Sequence, residues 1–176
     1  MSAFTELKDR VTGAAAAQGA RYAGEADRPL RGYVITMTVY AGLVGALAGL
    51  ARLTGREIPD RFATTDILLC AAATHKLSRL LAKDPVTSPL RVPFTSYQGT
   101  QGPAELKEEA RGEGGRKTVG ELVTCPFCTG VWVATGLSAG LVYLPRTTRI
   151  ATGTLAALAG ADMLQFAHAL LERAAS

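Results

Sequence analysis

A chain of 176 residues with 48% apolar and 19% charged side chains is richer in apolar groups than an ordinary soluble domain, yet its mean hydropathy of +0.16 is too low for a protein buried throughout in lipid. The net charge of +4 comes without aromatic and basic residues interleaved on a loop, which argues against a nucleic-acid surface. Three cysteines, Cys70, Cys125 and Cys128, are too few for a secreted disulfide framework.

Residues 1–32 are polar and include "ELKDR" and "GEADRPLRG". They contain no apolar run followed by a small-residue cleavage site, so a cytoplasmic segment is expected rather than a signal peptide. From Tyr33 to Ala51 there are 19 residues without a charge. At about 1.5 Å per residue that suffices for a hydrocarbon core of roughly 30 Å, and predicts a first span over 33–53. Ala41, Gly45 and Gly49 recur at every fourth position, the spacing of a close helix-packing seam. A second apolar segment, 62–82, carries Asp66, His75, Lys76 and Arg79.

The long polar loop 83–124 follows. The three prolines of "DPVTSPLRVPFTSYQG" predict extended or polyproline geometry, whereas "PAELKEEAR", Pro103 to Arg111, predicts a short charged helix with proline in its first turn. Thr118 and Glu121 fit a capping box, predicting one more helical turn before the cysteines. Asp84 and Arg91, flanking Pro85 and Pro89, are expected to order the loop against the ends of the second and third spans. The third span is predicted over 126–145, with a small-residue seam at Gly130, Ala134 and Ser138. The fourth is predicted over 150–171, with Gly153, Ala157 and Gly160 on one side and Asp162, Gln165 and His168 within it.

The expected fold is therefore all-α: a multi-pass transmembrane helical bundle of about four spans, occupying 33–176, with a Pro-rich cytoplasmic loop. Lys and Arg set its direction. The N-terminal segment, the central loop with its flanks and the C-terminal tail hold fourteen of them, against five in the other connections. Both termini and the loop are accordingly expected on the cytoplasmic side, and the lipid bilayer is the first partner. The small-residue seams also permit a homo-oligomer or another membrane or cytoplasmic protein as partner.

An unpaired ionisable side chain near the bilayer centre costs on the order of 2.5 to 3.5 kcal/mol, so Asp162 needs a partner or a wet cavity. Counting from the outer ends of their spans, His75 lies about 20 Å down and Asp162 about 18 Å down. Pairing of Asp162 with His75 or Lys76 is expected, as a structural ion pair or as part of a proton or substrate path that includes Gln165.

In "GELVTCPFCTGVWVATGL", Cys125 and Cys128 stand where the loop becomes the third span. Thr124 is placed as N-cap and Pro126 in the first turn, where helix dipoles stabilise a thiolate. Three roles are open: helix packing, a metal site, and dithiol redox chemistry. For zinc the pair supplies two of the four usual ligands, with His75, Cys70 and His168 as candidates for the rest, or a second CPFC pair across a dimer. The Cys-Pro-aromatic-Cys pattern also opens a helix in glutaredoxin-type motifs, but no βαβ pattern surrounds it here.

The stretches "ATHKLSRLLAKDPVTSPLRVPFT" and "GELVTCPFCTGVWVATGL" resemble the bacterial membrane family numbered 1360 in the domain-of-unknown-function series. The matching positions include His75, Arg79, Asp84, Pro85, Pro93, Phe94, Cys125, Pro126, Cys128, Gly130 and Trp132. The resemblance implies a multi-pass protein of the bacterial plasma membrane and carries no catalytic assignment. No nucleotide-binding loop, Ser-His-Asp order or paired-carboxylate motif is present, so a scaffold or partner-binding component is expected rather than an enzyme. The rivals are a dithiol redox or metal-binding protein using Cys125 and Cys128, and a small oligomeric proton-coupled transporter or channel using Asp162 and His75.

Overall fold

The computed structural model describes residues 3–23 and 28–175. Four long helices dominate: α2 (Leu30–Leu53), α3 (Thr64–Lys83), α6 (Pro126–Tyr143) and α7 (Pro145–Ala175), preceded by α1 (Ala3–Ala23). Between α3 and α6 the chain forms a 3-10 turn (Pro85–Thr87), the single-turn α4 (Ser88–Arg91), strands β1 (Thr95–Gly102) and β2 (Glu105–Ala110), and α5 (Gly114–Thr124). The polar 1–32 segment thus contains α1, while its residues 1–2 and 24–27 lie outside the described residues.

Helix α3 packs against both α6 and α7, which also touch each other, and α2 reaches this group through α6. The contacts of α3 use small side chains. Ala73 and Ala82 are fully buried, and a Cβ on Gly130 of α6 would sit 3.8 Å from Thr74 and 3.9 Å from Ser78. The remaining interior residues of the long helices are Ala51, Ala159, Asp66, Ser78, Thr148 and Thr152, whereas Val34, Met37, Val39, Leu164, Phe166 and Leu170 face outward. Small and polar inside with large apolar outside is the arrangement favoured where lipid, not water, surrounds the helices. Three helices, α2, α6 and α7, are long and apolar enough to cross a membrane. Helix α3 has the length but carries Asp66, Lys76 and Arg79, so composition supports three of the four expected spans.

Helix α2 joins the bundle through hydroxyls rather than through its small-residue seam. The Tyr40 ring meets Trp132 edge-on at 5.3 Å, its hydroxyl lies 2.8 Å from Thr135 Oγ1, and Tyr143 donates to the Leu47 carbonyl at 2.5 Å. Tyr33 donates to Glu121 of α5. Tyr33, Tyr40 and Leu47 are spaced by seven residues, which keeps them on one helix face. The predicted seams fare differently. Gly130 makes a close helix contact, but Gly45, Gly49, Gly153 and Gly160 have no heavy atom within 4 Å of where a Cβ would be. Among the described residues those four glycines make no close helix contact.

Three local expectations are corrected. Pro103 to Arg111 is not a helix: β2 pairs antiparallel with β1, so the fold is not wholly α. In β2 the period of two prevails, with Leu106, Glu108 and Ala110 turned inward and Lys107 and Glu109 exposed. Pro103 sits in the turn, beside Ala104 at φ 57°, and Gly99 (φ 117°) accommodates a bulge. The prolines do not keep the loop extended either. Pro85 opens the 3-10 turn and Pro89 the first turn of α4, positions where the missing N–H removes no bond. Thr118 is no cap, because α5 starts at Gly114 with Glu113 before it. Its hydroxyl donates to the Gly114 carbonyl at 3.0 Å and meets α2 at Gly32, where a Cβ would come within 1.9 Å.

Candidate functional site

The end of α3 nearest the hairpin presents Lys76, Arg79 and Lys83, each engaged by a different element. Lys76 Nζ lies 2.5 Å from Asp162 Oδ2 on α7. Arg79 donates to Glu105 at the start of β2, and Lys83 donates to Gln101 Oε1 at 3.2 Å. These pairs lean the tip of the hairpin over the groove between α3 and α7 and enclose a cleft of about 520 Å³. Its polar wall includes His75, Asp84 and Gln165, and its apolar wall includes Leu80, Met163 and Phe166. Five residues singled out from sequence, His75, Lys76, Asp84, Asp162 and Gln165, therefore line one space although they come from α3, its end and α7. Among the described residues Asp162 is bonded to Lys76 and not to His75.

Arg91 organises the base of the hairpin. It is 1% exposed, donates from Nη1 to the Leu81 carbonyl (2.8 Å) and Thr87 Oγ1 (2.7 Å), from Nη2 to the Asp84 carbonyl (3.0 Å), and from Nε to Glu108. The planar guanidinium thus ties the end of α3, the proline turn and β2 at once, which an ammonium could not do. The Asp84 side chain acts locally: Oδ1 accepts the Val86 N–H at 2.8 Å. Asp84 and Arg91 meet through the Asp84 backbone oxygen, not through their charges.

At the opposite end of the bundle Arg149 forms a two-pronged pair with Asp66, at 2.9 and 2.8 Å. Sequence reasoning missed this pair because Arg149 read as a loop cation. A usable signal existed: Asp66 and Arg149 both lie near the starts of helices that run in parallel.

Cys125 is the only non-helical residue between α5 and α6, with φ −101° and ψ 107°. It, and not Thr124, caps α6: its Sγ accepts the Cys128 N–H at 3.3 Å. The Thr124 hydroxyl turns back to the Gly120 carbonyl at 2.8 Å. Thr129 Oγ1 donates to the Leu122 carbonyl at 2.9 Å, fixing the first turn of α6 on the end of α5. Cys125 is half-buried, Cys128 exposed, and Phe127 between them is 89% exposed. Among the described residues no three His, Cys, Asp or Glu side chains gather as a metal site, so His75 does not join the cysteines. Two thiolates fall short of the usual zinc set, and the donors of one chain do not fit a zinc ion. Cys70 is half-buried on α3; His168 pairs with Glu172 at 3.2 Å near the exposed end of α7.

Residues 68–168 match the family model described as "Protein of unknown function (DUF1360)". The match starts inside α3 and ends inside α7, so it takes in the cleft, the hairpin and the cysteine pair, and leaves out α1 and α2. The chain is 34% identical over 99 residues to a protein named sporulation protein YjcA from Bacillus subtilis (strain 168), an alignment covering 53% of this chain and 84% of that protein. No solved structure matches. The chain thus belongs to the DUF1360 family.

Proposed function

We propose that the protein is a four-span integral component of the bacterial plasma membrane, with the hairpin end and both termini in the cytoplasm, that binds a partner protein through the hairpin-covered cleft. The observation that carries this is the pairing of α3. Asp66, Lys76, Arg79 and Lys83 each bond to a side chain from α7 or the hairpin. A helix whose Asp66, Lys76 and Arg79 are ion-paired, and whose Lys83 at its end is hydrogen-bonded, can stand in a membrane bundle without leaving a bare charge in lipid. The apolar helices α6 and α7 beside it, and α2 beyond α6, would face the lipid.

The fourteen-to-five excess of Lys and Arg on the hairpin side supports a cytoplasmic position for the cleft. A space lined by two ion pairs, His75 and Gln165 on one side and by Leu80, Met163 and Phe166 on the other suits an amphipathic segment of a partner. The likeness to a protein named for sporulation supports a role in that kind of cellular programme.

Topology and partner are tested together in cells. In a chain with its three cysteines replaced by serine, Lys107→Cys on the hairpin should resist a membrane-impermeant maleimide in intact cells and label after permeabilisation. Arg56→Cys in the connection between α2 and α3 should label in both. A photo-crosslinking residue at Gln165 should yield a discrete heterologous adduct that a crosslinker at Met37, on the outward face of α2, does not. Labelling of Lys107→Cys in intact cells would overturn the orientation, and identical adduct patterns at the two positions would overturn the cleft as the docking site.

A further inference from the structure

We propose that Cys125 and Cys128 form a reversible dithiol–disulfide couple that exchanges with an external disulfide at the hairpin end of the bundle, an activity separate from docking in the cleft. Both sulfurs sit at one joint. Cys125 is the single residue linking α5 to α6, and its Sγ accepts the N–H of Cys128 at the start of an 18-residue helix. A backbone donor at the first turn of α6 thus stands against the Cys125 sulfur, where it can bond to it as attacking or leaving group during exchange. Cys128 stands one turn further on, with its N–H against the Cys125 sulfur at 3.3 Å.

The surroundings suit exchange rather than burial. Cys128 and Phe127 are exposed, which leaves a path for an incoming disulfide and an apolar surface beside it. No third metal donor joins the pair among the described residues, so the thiols are not committed to an ion within the chain. The joint is also held in place, since the Thr129 hydroxyl is bonded to the Leu122 carbonyl, and Pro126 occupies the first turn.

Exchange runs in two displacements. The Cys125 thiolate attacks one sulfur of R–S–S–R′; a mixed disulfide forms, and R′–S⁻ departs and takes a proton from water. Cys128 then gives its proton to solvent and attacks Cys125 Sγ. The internal disulfide forms, and R–S⁻ leaves and is protonated. Two electrons pass from the dithiol to the external disulfide, which ends as two thiols. The same steps in reverse reduce the internal bond.

The test uses the full chain in mild detergent with Cys70→Ser, titrated with mixtures of reduced and oxidised glutathione and read by intact mass after alkylation. Both thiols should disappear together, with loss of two hydrogens and no retained glutathione. Cys128→Ser should accumulate a stable glutathione adduct at Cys125, at least about tenfold faster than Cys125→Ser forms one, as expected where the sulfur held against a backbone N–H is the attacking one. Adducts on both cysteines of the parent with no internal disulfide, or equal reactivity of the two variants, would overturn the couple. So would thiols that react only after denaturation. In acid-quenched cells, Cys128→Ser should carry either a small-thiol adduct or a mixed disulfide with a protein, which identifies the source of the external disulfide. The absence of both would overturn exchange in the cell.

Discussion

Replacing Arg91 by alanine removes the one side chain that joins α3, the proline turn and β2. Four donated bonds disappear, and the Glu108 carboxylate, 5% exposed, keeps only a 3.4 Å approach from Thr95 Oγ1. Breaking a buried pair from one side costs about 3 to 5 kcal/mol, because the remaining charge stays desolvated. At 1.4 kcal/mol per decade, even about 3 kcal/mol multiplies the open population of the hairpin by more than about 100. Limited proteolysis of the detergent-solubilised chain, with cleavage within 95–110 read by mass, reports that population when reclosing is faster than cutting. Amide exchange over the same residues supplies a second readout. Arg91→Lys keeps the charge but loses the fork, and should fall between the two. If Arg91→Ala is cleaved within about threefold of the parent rate, the hairpin is not held by this residue and the proposed order of the loop is wrong.

Asp162→Ala leaves Lys76 charged in a helix interior. Because the two side chains are 21% and 39% exposed, a loss of about 1 to 2 kcal/mol is expected, below the range for fully buried pairs; the double variant Lys76→Met, Asp162→Leu should recover most of it in detergent melting. Gly120→Ala would place a methyl 2.6 Å from the Phe94 carbonyl and 2.8 Å from Ala110 Cβ, and should lower stability by about 1 to 3 kcal/mol. Gly45→Ala, with nothing nearby, should be neutral or stabilising by up to about 1 kcal/mol. A marked loss at Gly45 accompanied by dissociation on a sizing column would show that the α2 seam holds a second copy. Tyr143→Phe removes the hydroxyl on the Leu47 carbonyl and should cost about 1 kcal/mol, measured as faster proteolysis between α2 and α3.

The helices were legible because long charge-free or nearly charge-free runs need no register to be recognised. Expected spans at 33–53 and 126–145 correspond to α2 (Leu30–Leu53) and α6 (Pro126–Tyr143). Counting 1.5 Å per residue also brings Lys76 and Asp162 to one level, since rise along a helix is nearly constant. The hairpin was not legible, because β2, ELKEEA, has only Leu106 and Ala110 as apolar residues, four apart, a spacing that fits a helix face as readily as an edge strand. Nor was the role of Tyr33 or Tyr40, whose hydroxyls find partners 88 and 95 residues away.

What the amino-acid order determined on its own was local: which stretches are helical, which are apolar enough for lipid, and where the two cysteines stand relative to the start of a helix. Tertiary structure decided which charges meet. Asp66 with Arg149 and Lys76 with Asp162 are separated by 83 and 86 residues, and Arg91 with Glu108 depends on a hairpin folding back over the end of α3. A charge identifies itself by residue type, but its partner is chosen by the packing of whole helices, in which small residues such as Ala73 and Gly130 let backbones approach closely enough for those pairs to close.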